Sequence, residues 1–234
     1  MIFEQHKLFW RRARIILDDK ALSEALKVGR HVYISGLSYD NGLGSSRVHI
    51  KTKQTTVIKL GGDYFAKFND TTRNEIRRME KTPELSFHIP DENRAGIYEL
   101  YRDFEVRGAR YVRPQEYFSE SLLCGAYLND ELIAAILCYD SYPYLRAHAI
   151  VSSKAHLKWK SFALRRLVFE ICRYGELHKY RWVDLGAINT SDPAKAGITA
   201  FKQSFGGDVV NDYHYTYKSP IARFLGKVFL RTVA

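Results

Sequence analysis

The sequence predicts an α+β fold in which one mixed sheet carries helices on both faces. Three observations predict it: a three-strand antiparallel meander, a helix that returns the chain to a further parallel strand, and helical patterns that precede the meander. From residue 84 onward the predicted elements follow the order β-α-α-β-β-β-α-β-α-β. A meander followed by a β-α-β crossover brings antiparallel and parallel neighbours into the same sheet.

The meander is the clearest part of the pattern. Its strands are expected at 121–128, 131–139 and 144–152. Asn129-Asp130, between the first two strands, is typical of a tight hairpin turn. The elements expected after the meander are a long helix at 162–178, a strand at 181–186, a short helix around 197–205 and a closing strand at 208–218.

The chain before the meander is predicted to begin with a helix. Phe9, Ala13, Ile16 and Leu17 fall near helical spacing, so residues 4–27 are expected to form an amphipathic helix. Further strands are expected at 31–35, 55–60 and 84–89, and further helices at 63–81 and 91–108. This organisation gives an N-terminal helical arm and short strand at 1–54, a main domain at 55–218 and a basic amphipathic tail at 219–234.

The composition indicates a folded protein with an anionic partner. The chain has 234 residues, 46% of them hydrophobic, and a formal net charge of +10. Such an excess favours nucleic acid, a phosphorylated ligand, an acidic carrier protein or anionic lipid. The three cysteines include no C-x-x-C pair, which predicts reduced thiols in the cytoplasm. No histidine pair has metal-ligand spacing, so no metal is expected.

The tail at 219–234 leaves two interpretations open. It has no acidic residue, and its apolar residues recur at helical spacing. It either docks on the domain as a terminal helix or lies on an anionic bilayer, which would place the protein peripherally at the inner face of the membrane. No run of about 18 apolar residues occurs, so no membrane-spanning helix is expected.

Four segments resemble the FemABX-type branch of the Gcn5-related N-acyltransferases (GNAT). They are "TRNEIRRMEK" (72–81), "IYELYRDFEVRG" (97–108), "GAYLNDELIAAIL" (125–137) and "DLGAINTSDPAKAGITAFKQSFGG" (184–207). The last segment is the most specific, since it carries Asp, Gly, Phe-Lys and Phe-Gly-Gly in the order of the family motif. The resemblance covers residues 55–217 and implies a bacterial transferase that moves an acyl or aminoacyl group onto an amine.

The resemblance also implies the catalytic residues. Lys202 matches the motif lysine and would stabilise the oxygen of the acyl group. In the alternative, Phe201 and Phe205 anchor a helix and Lys202 points to water. Asp184 would act as a base or orient the acceptor amine; in its alternative it orders a loop. The sequence lacks a G-x-S-x-G elbow, so direct attack without a covalent intermediate is expected.

Basic and aromatic residues are the candidates for substrate binding. The donor is expected at the glycine-free loop "SSKAHLKWKS" and the following helix, through Lys154, Lys158, Lys160 and Ser161. The candidates for binding the acceptor are Arg73, Arg77, Arg107, Tyr213 and Tyr215. The alternative for the arginines is a solvated helix face, and for the tyrosines a covered sheet face.

Three functions remain open at this point. The first is transfer of an acyl or aminoacyl group to an amine of a cell-envelope or polysaccharide precursor. The second is N-acylation of a small amine from acyl-CoA or acyl-carrier protein, and the third is a non-catalytic basic binding module. No permanently bound cofactor is expected; acyl-CoA, acyl-carrier protein or aminoacyl-tRNA would serve as cosubstrate, so tRNA or a carrier protein is an expected partner.

Overall fold

The computed structural model describes residues 2–7, 10–28, 33–43 and 48–220. Ten strands lie in these ranges: β1 Ile2–Lys7, β2 Trp10–Ile16, β3 Tyr33–Ser38, β4 Val48–Lys59, β5 Leu85–His88, β6 Ser121–Leu128, β7 Glu131–Ser141, β8 Tyr144–Ser152, β9 Trp182–Ile188 and β10 Asp208–Lys218. The α-helices are α1 Asp19–Val28, α2 Asp70–Met79, α3 Arg94–Arg107, α4 Leu157–Leu177 and α5 Ala196–Gln203. Short 3₁₀ turns occur at Phe65–Lys67, Gln115–Phe118 and Pro193–Lys195.

The chain forms two compact units. The first contains the described parts of Met1–Thr55 and of Val210–Ala234, and the second contains Thr56–Val209. None of the described helices combines the length and the apolar character that crossing a bilayer requires. The predicted tail lies outside the described residues from 221 onward, so its two interpretations stay predictions.

In the first unit, the predicted helix at 4–27 is wrong. Residues of β1 pair antiparallel with β2, and β2 pairs parallel with β3; the helix α1 begins only at Asp19. The cause is visible in "RARI", where Ala13 and Ile15 are buried and alternate with arginines. This period of two suits a strand with one buried face, whereas the helical reading depended on wider spacings.

The second unit confirms the predicted mixed sheet. The strands lie in the order β4-β9-β8-β7-β6-β5. Neighbours from β5 to β8 pair antiparallel, and β8 pairs parallel with β9 after the crossover through α4. The hairpin between β6 and β7 turns at Asn129 and Asp130, which have φ values of 48° and 65°. Positive φ at both central residues is what a two-residue hairpin turn with native twist requires.

Helices cover both faces of this sheet, as predicted. On one face α2 and α4 contribute to a large core that contains Ile76, Leu167 and Phe205. On the other face α3 and the Gln115–Phe118 turn enclose a smaller core around Tyr101 and Leu137. The middle strands are apolar on both sides because both of their faces are buried.

Helix α2 is capped at its N-terminus by Asn69. The side chain of Asn69 accepts a hydrogen bond from the backbone N–H of Thr72 at 2.8 Å. The predicted helix 63–81 therefore consists of a 3₁₀ turn, an extended residue at Phe68 and then α2. An N-cap asparagine satisfies one of the otherwise unpaired N–H groups of the first turn.

Gly206 is required by the backbone that crosses it. Its φ is 61°, and a Cβ built on it would lie 1.9 Å from the carbonyl oxygen of Lys67. A substitution would have to move backbone as well as adopt a left-handed conformation. The glycine thus fixes how the chain leaves α5 beneath the segment that precedes α2.

We expect Gly206→Ala to lower the free energy of unfolding by at least about 1 kcal/mol, because the native conformation is incompatible with a side chain. Gly197→Ala is the matched control, since nothing lies within 4 Å of its Cβ position in α5. That substitution is expected to be neutral or to stabilise by up to about 1 kcal/mol. Urea denaturation followed by tryptophan fluorescence measures both. Equal stability of the two variants would contradict the steric argument.

Candidate active site

The parallel strands β8 and β9 separate part-way along their length. Their pairing joins Tyr144–Arg146 to Trp182–Asp184, although β8 continues to Ser152 and β9 to Ile188. We call the space between the diverging ends, Ala147–Ser152 and Leu185–Ile188, the β8–β9 opening. It begins at the carboxyl ends of two adjacent parallel strands, which is where open α/β sheets bind ligands.

Gly186 stands at the start of the opening. Its φ is 78°, and a Cβ on it would lie 2.7 Å from the carbonyl oxygen of Ala147 on β8. Any side chain at this position would therefore push the two strands apart at the point where their pairing ends. The glycine permits a close approach here and a change of direction immediately after it.

Lys202 reaches this point from helix α5. Its side chain is buried, with 7% of the residue exposed, and Nζ donates a hydrogen bond to the carbonyl oxygen of Ala187 at 2.8 Å. Nζ also lies 3.4 Å from the Cβ position of Gly186. The alternative in which Lys202 points to water is wrong, because the ammonium is directed at the end of β9. Its role in catalysis stays a prediction.

The phenylalanines on either side of Lys202 hold its helix in place. Phe205 is fully buried, and its ring contacts those of Phe201 and Phe68 at centroid distances of 5.3 and 5.1 Å. These contacts anchor α5 in the large core. The aromatic pair and the inward lysine are therefore compatible, although the sequence presented them as alternatives.

Asp184 forms a buried ion pair. It is 0% exposed, and its Oδ2 accepts a hydrogen bond from the guanidinium of Arg146, which is 5% exposed. Its Oδ1 accepts from the backbone N–H of Gly186 at 2.7 Å. These two contacts tie the last paired residues of β8 and β9 together and order the turn at Gly186. This is the loop-ordering alternative of the sequence analysis; a catalytic role for Asp184 stays a prediction.

The predicted donor loop connects β8 to α4. Lys154 is exposed, and Ser161 lies within α4, where its Oγ contacts the guanidinium of Arg165. The side chains of Lys158 and Lys160 lie outside the described residues. The first turn of α4 presents backbone N–H groups, which favour an anion. Donor binding at this loop stays a prediction.

Arg107, predicted for the acceptor, lies beside the donor loop. One of its guanidinium nitrogens donates to the carbonyl oxygen of Ser152 at 2.7 Å, at the end of β8. It also stacks over Phe104 of its own helix. The structure thus brings Arg107 to the same strand end from which the loop departs. Binding of the acceptor by Arg107 stays a prediction.

Arg73 and Arg77 are engaged within the fold. Arg73 donates to the carbonyl oxygen of Phe68 at 2.7 Å, which ties α2 to the turn before it. Arg77 stacks over Phe65 at 5.6 Å. On the same helix Glu75 pairs with Arg165 of α4 at 2.6 Å. The charged helix 72–81 therefore packs against α4, and an acceptor-binding role for its arginines stays a prediction.

The two predicted acceptor tyrosines lie in the first unit. Tyr215 is 1% exposed and belongs to a core with Leu22 and Ile34, and Tyr213 packs against that core. The hydroxyl of Tyr215 donates to the carbonyl oxygen of Asp40. This arrangement corresponds to the covered sheet face that the alternation also allowed. We leave both residues out of the proposed site, and their role as acceptor ligands stays a prediction.

Sequence reasoning missed His148. It is the extra residue of a β-bulge, since Cys138 pairs with Ala147 while Leu137 pairs with Ala149. Its ring stacks on Tyr139 and Phe118, and Nε2 lies 3.1 Å from Ser121 Oγ. Nothing in the local pattern marks the bulge, because "RAHAIV" also reads as a regular alternation. The sequence likewise gave no sign of the pairing of Arg146 with Asp184.

A cavity of about 360 Å³ lies beside this cluster. Its wall combines apolar side chains of α3, β6 and β7, among them Ile97, Leu123 and Leu137, with polar residues that include Arg94 and Glu116. Phe118, which stacks on His148, also forms part of its wall. A largely apolar, partly enclosed space of this size is typical of a small-molecule pocket.

The cysteines are buried thiols. Burial raises the pKa of Cys124 and of Cys172 well above the ordinary value, and the neighbouring Cys138 adds to the shift of each. Both groups therefore stay protonated near neutral pH and are poor nucleophiles. Within the part of the chain that the structure describes, no cluster of three or more His, Cys, Asp or Glu side chains has the arrangement of a metal site.

No protein-family profile matches the sequence, and no curated protein matches it. Solved structures do. The chain is similar to FemX, with 12% identity, a TM-score of 0.66 and coverage of 95% of this chain and 85% of that chain. It is similar to L-PGS from Bacillus licheniformis, with 12% identity, a TM-score of 0.60 and coverage of 94% and 81%.

A GCN5-related N-acetyltransferase from Kribbella flavida also matches, with 9% identity, a TM-score of 0.50 and coverage of 92% of this chain and 84% of that chain. The protein has the GNAT fold. Identities this low show the fold alone. Within the GNAT fold of this chain, the β8–β9 opening, Gly186 and Lys202 form the candidate active site.

The ion pair below the opening generates the first prediction for this site. Arg146→Met leaves Asp184 buried without its cation, and we expect a loss of about 3–5 kcal/mol in the free energy of unfolding. Arg146→Met combined with Asp184→Leu removes both charges and should be more stable than either single variant.

The control is Arg102→Met, which removes an exposed pair with Glu99 and should change stability by at most about 1 kcal/mol. Urea denaturation curves measure Arg146→Met, Asp184→Leu, the double variant and the control. A loss in Arg146→Met as small as that in Arg102→Met would show that the buried pair does not hold the strands together.

Proposed function

We propose that the protein is an acyltransferase that moves an acyl or aminoacyl group onto an amine of a cell-envelope or polysaccharide precursor by direct attack. The observation that carries the proposal is the position of Lys202. A buried ammonium lies at the start of the opening between two parallel strands, 2.8 Å from the Ala187 carbonyl oxygen. A group placed there faces the region in which a ligand would lie.

The chemistry of acyl transfer explains why a cation is useful at this point. Attack by an amine converts the donor carbonyl into a tetrahedral intermediate whose oxygen carries negative charge. A preorganised donor group directed at that oxygen stabilises the transition state by about 3–4 kcal/mol where single donors have been removed from other enzymes. Lys202 is already held by Phe201 and Phe205, so it needs little rearrangement when the charge develops.

Direct attack fits the nucleophiles that the protein offers. The raised pKa values of the Cys124 and Cys172 thiols oppose a thiolate intermediate. The acyl group would then pass from donor to amine in one enzyme complex, with both substrates bound at once. Proximity and orientation supply most of the remaining catalysis in such a mechanism.

The donor is proposed to enter along the β8–α4 loop. An activated acyl group carried by coenzyme A, an acyl-carrier protein or tRNA brings phosphate with it, and the N-terminus of α4 and Lys154 favour anions. Arg107 beside Ser152 supplies a further cation at this end of the opening. The net charge of +10 agrees with such a donor.

The names of similar structures support an envelope acceptor. The C-terminal domain of a putative lysylphosphatidylglycerol synthetase from Agrobacterium fabrum matches with 12% identity and a TM-score of 0.59. Lysylphosphatidylglycerol is a lipid that bears an aminoacyl group. This neighbour favours aminoacyl transfer to an envelope component over acylation of a small soluble amine. Peripheral attachment to a membrane would suit such an acceptor.

The position of Lys202 also bears on the non-catalytic alternative. A basic binding module would use exposed cations on a continuous face. Lys202 is instead buried at an opening, and the arginines of α2 are engaged within the fold. These observations favour the enzyme.

We expect Lys202→Met to lower turnover by roughly two orders of magnitude or more, because the developing oxyanion loses its cation. The control is Lys195→Met, which removes an exposed cation that pairs with Asp192 just before the same helix. Labelled acetyl-CoA, acyl-carrier protein and aminoacyl-tRNA are the donors to be assayed, with amine acceptors. Full activity in Lys202→Met would remove this residue from the mechanism.

We expect simultaneous replacement of Lys154, Lys158 and Lys160 by Gln to weaken donor binding and to flatten its dependence on salt, because fewer ion contacts form. Replacing Lys59, Lys81 and Lys179 by Gln changes the net charge equally at three exposed positions away from the loop. Donor affinity measured between low and high salt compares the two triple variants. If the loop variant behaved like the control, the donor would bind elsewhere.

A further inference from the structure

His148 occupies a place in the sheet that the proposed reaction does not yet use. It is two residues beyond Arg146, the last residue of β8 that pairs with β9. It is also the bulged residue of β8, so it has no partner on β7 in the pairing register. A bulge redirects a side chain and bends its strand, and bulges are frequent beside active sites.

The bulge places His148 on the opposite sheet face from Lys202. Ala147 and Phe205 belong to the large core, on the face where α5 packs. The ring of His148 stacks on Phe118, which belongs to the smaller core under α3. The cation and the imidazole therefore lie on opposite faces of the sheet, and His148 belongs to the part of β8 that has left β9. An attacking amine and a stabilised oxyanion also lie on different sides of a carbonyl carbon.

The surroundings of the imidazole suit a group that gains and loses a proton. Its ring lies between the rings of Tyr139, at a centroid distance of 4.1 Å and 19°, and Phe118, at 5.4 Å and 6°. Aromatic faces at these distances stabilise a cation between them. The partner of Nε2 is the hydroxyl of Ser121, at 3.1 Å. A hydroxyl can donate to a neutral ring nitrogen or accept from a protonated one, so the contact survives either state.

The same contacts fix the orientation of the ring. Tyr139 is itself held by a hydrogen bond of 2.9 Å between its hydroxyl and that of Tyr117. Ser121 and Phe118 are buried, with 3% and 5% exposed, whereas His148 is partly exposed. A rigid setting around a partly exposed imidazole is what a general base requires.

We propose that His148 is the proton acceptor for the attacking amine of the acceptor substrate. The inference rests on the proposed acyltransferase function and adds the residue that activates the nucleophile. The amine nitrogen forms a bond to the acyl carbon, and the carbonyl electron pair moves to the oxygen facing Lys202. A proton passes from the amine nitrogen to a ring nitrogen of His148. The bond to the donor's sulfur or oxygen then breaks, the leaving group departs with that electron pair, and the imidazolium returns the proton to it through solvent.

The charged and titratable groups around His148 affect how a pH profile of the reaction is interpreted. Tyr139 faces it from β7, Tyr117 faces it from the Gln115–Phe118 turn, and Arg113 stacks on the far side of Tyr117 at 4.2 Å. Arg146 lies two residues away on β8 and is paired with Asp184. From β6 the contact is the neutral hydroxyl of Ser121.

The test is the pH profile of kcat/KM for transfer, measured on the full chain with the donor that wild-type protein uses. His148→Phe keeps an aromatic ring between Phe118 and Tyr139 but has no nitrogen to accept a proton. We expect kcat/KM to fall by roughly 10²–10⁴-fold and the acid side of its pH profile to change, because protonation of the acceptor amine would still slow the reaction but protonation of the imidazole would not. His148→Ala should show the same loss and regain activity when free imidazole is added. His178→Ala, at the exposed end of α4, is the control and should keep the wild-type profile.

The outcomes separate this inference from the function on which it rests. If wild-type protein transfers an acyl group and Lys202→Met does not, the proposed function stands. An unchanged pH profile in His148→Phe, or a loss in His148→Ala that imidazole does not rescue, then overturns the role of His148 alone. Absence of transfer by wild-type protein from every donor class overturns both. Donor affinity should be equal in wild type and His148→Phe, and a loss of donor binding would show that the substitution acts through structure.

Discussion

The candidate site depends on the point at which the parallel strands β8 and β9 stop pairing and diverge. Arg146 and Asp184 form a buried ion pair across the last paired residues of β8 and β9, and Asp184 also accepts the N–H of Gly186. Immediately beyond, Gly186 passes within reach of the Ala147 carbonyl with a positive φ. The ion pair holds the strands together up to this point, and Gly186 permits a close approach and a change of direction where their pairing ends. Either charge would be costly to bury alone, and the ion pair together with the hydrogen bond from Gly186 offsets that cost.

The motif around Lys202 follows from the same geometry. Helix α5 follows β9 and places Lys202 at the end of that strand. Phe205 lies in the large core and Phe201 packs against it, which holds the helix in position. Gly206 then crosses beneath the Lys67 carbonyl, where no other residue fits. The phenylalanines and the glycine thus fix the position of Lys202 at the end of β9. The sequence analysis treated the phenylalanine anchor and an inward Lys202 as alternatives, and the structure contains both.

The sequence predicted the parts of the fold whose signals are local. The β6–β7 hairpin followed from Asn129-Asp130, whose positive φ values the turn requires, and the crossover through α4 followed from a long helical pattern between two apolar strands. The N-terminal helix failed because the short "RARI" alternation was outweighed by apolar residues at wider spacings. Helix and strand periods overlap in such short segments, and the pairing of β2 with β3 decides between them.

The candidate site could be predicted only where a motif marked it. Lys202 was found through the resemblance that residues 184–207 carry, because motif and position in the chain coincide there. Arg146 could not be found, since its partner lies 38 residues away and the contact exists only after the crossover has formed.

His148 was invisible for a different reason. A bulge changes which face a residue occupies without changing composition, so the alternation on both sides of it remains regular. The charge runs did not indicate these internal contacts either. Arg73 and Arg77 were predicted to bind the acceptor, which stays a prediction, and the structure shows that they also contact the turn before α2 and an aromatic ring.

The two missed residues, Arg146 and His148, show how polar groups fit into a sheet that is also a core. Its middle strands are buried on both faces, which leaves little room for polar groups unless each has a partner. The polar residues at the β8–β9 opening each have one: Asp184 has Arg146, His148 has Ser121, and Lys202 has the carbonyl of Ala187. A charge that develops in a bound ligand would therefore meet groups whose positions are already fixed by the fold. Such preorganisation, rather than the number of cations on the surface, is what a buried opening contributes to transfer chemistry.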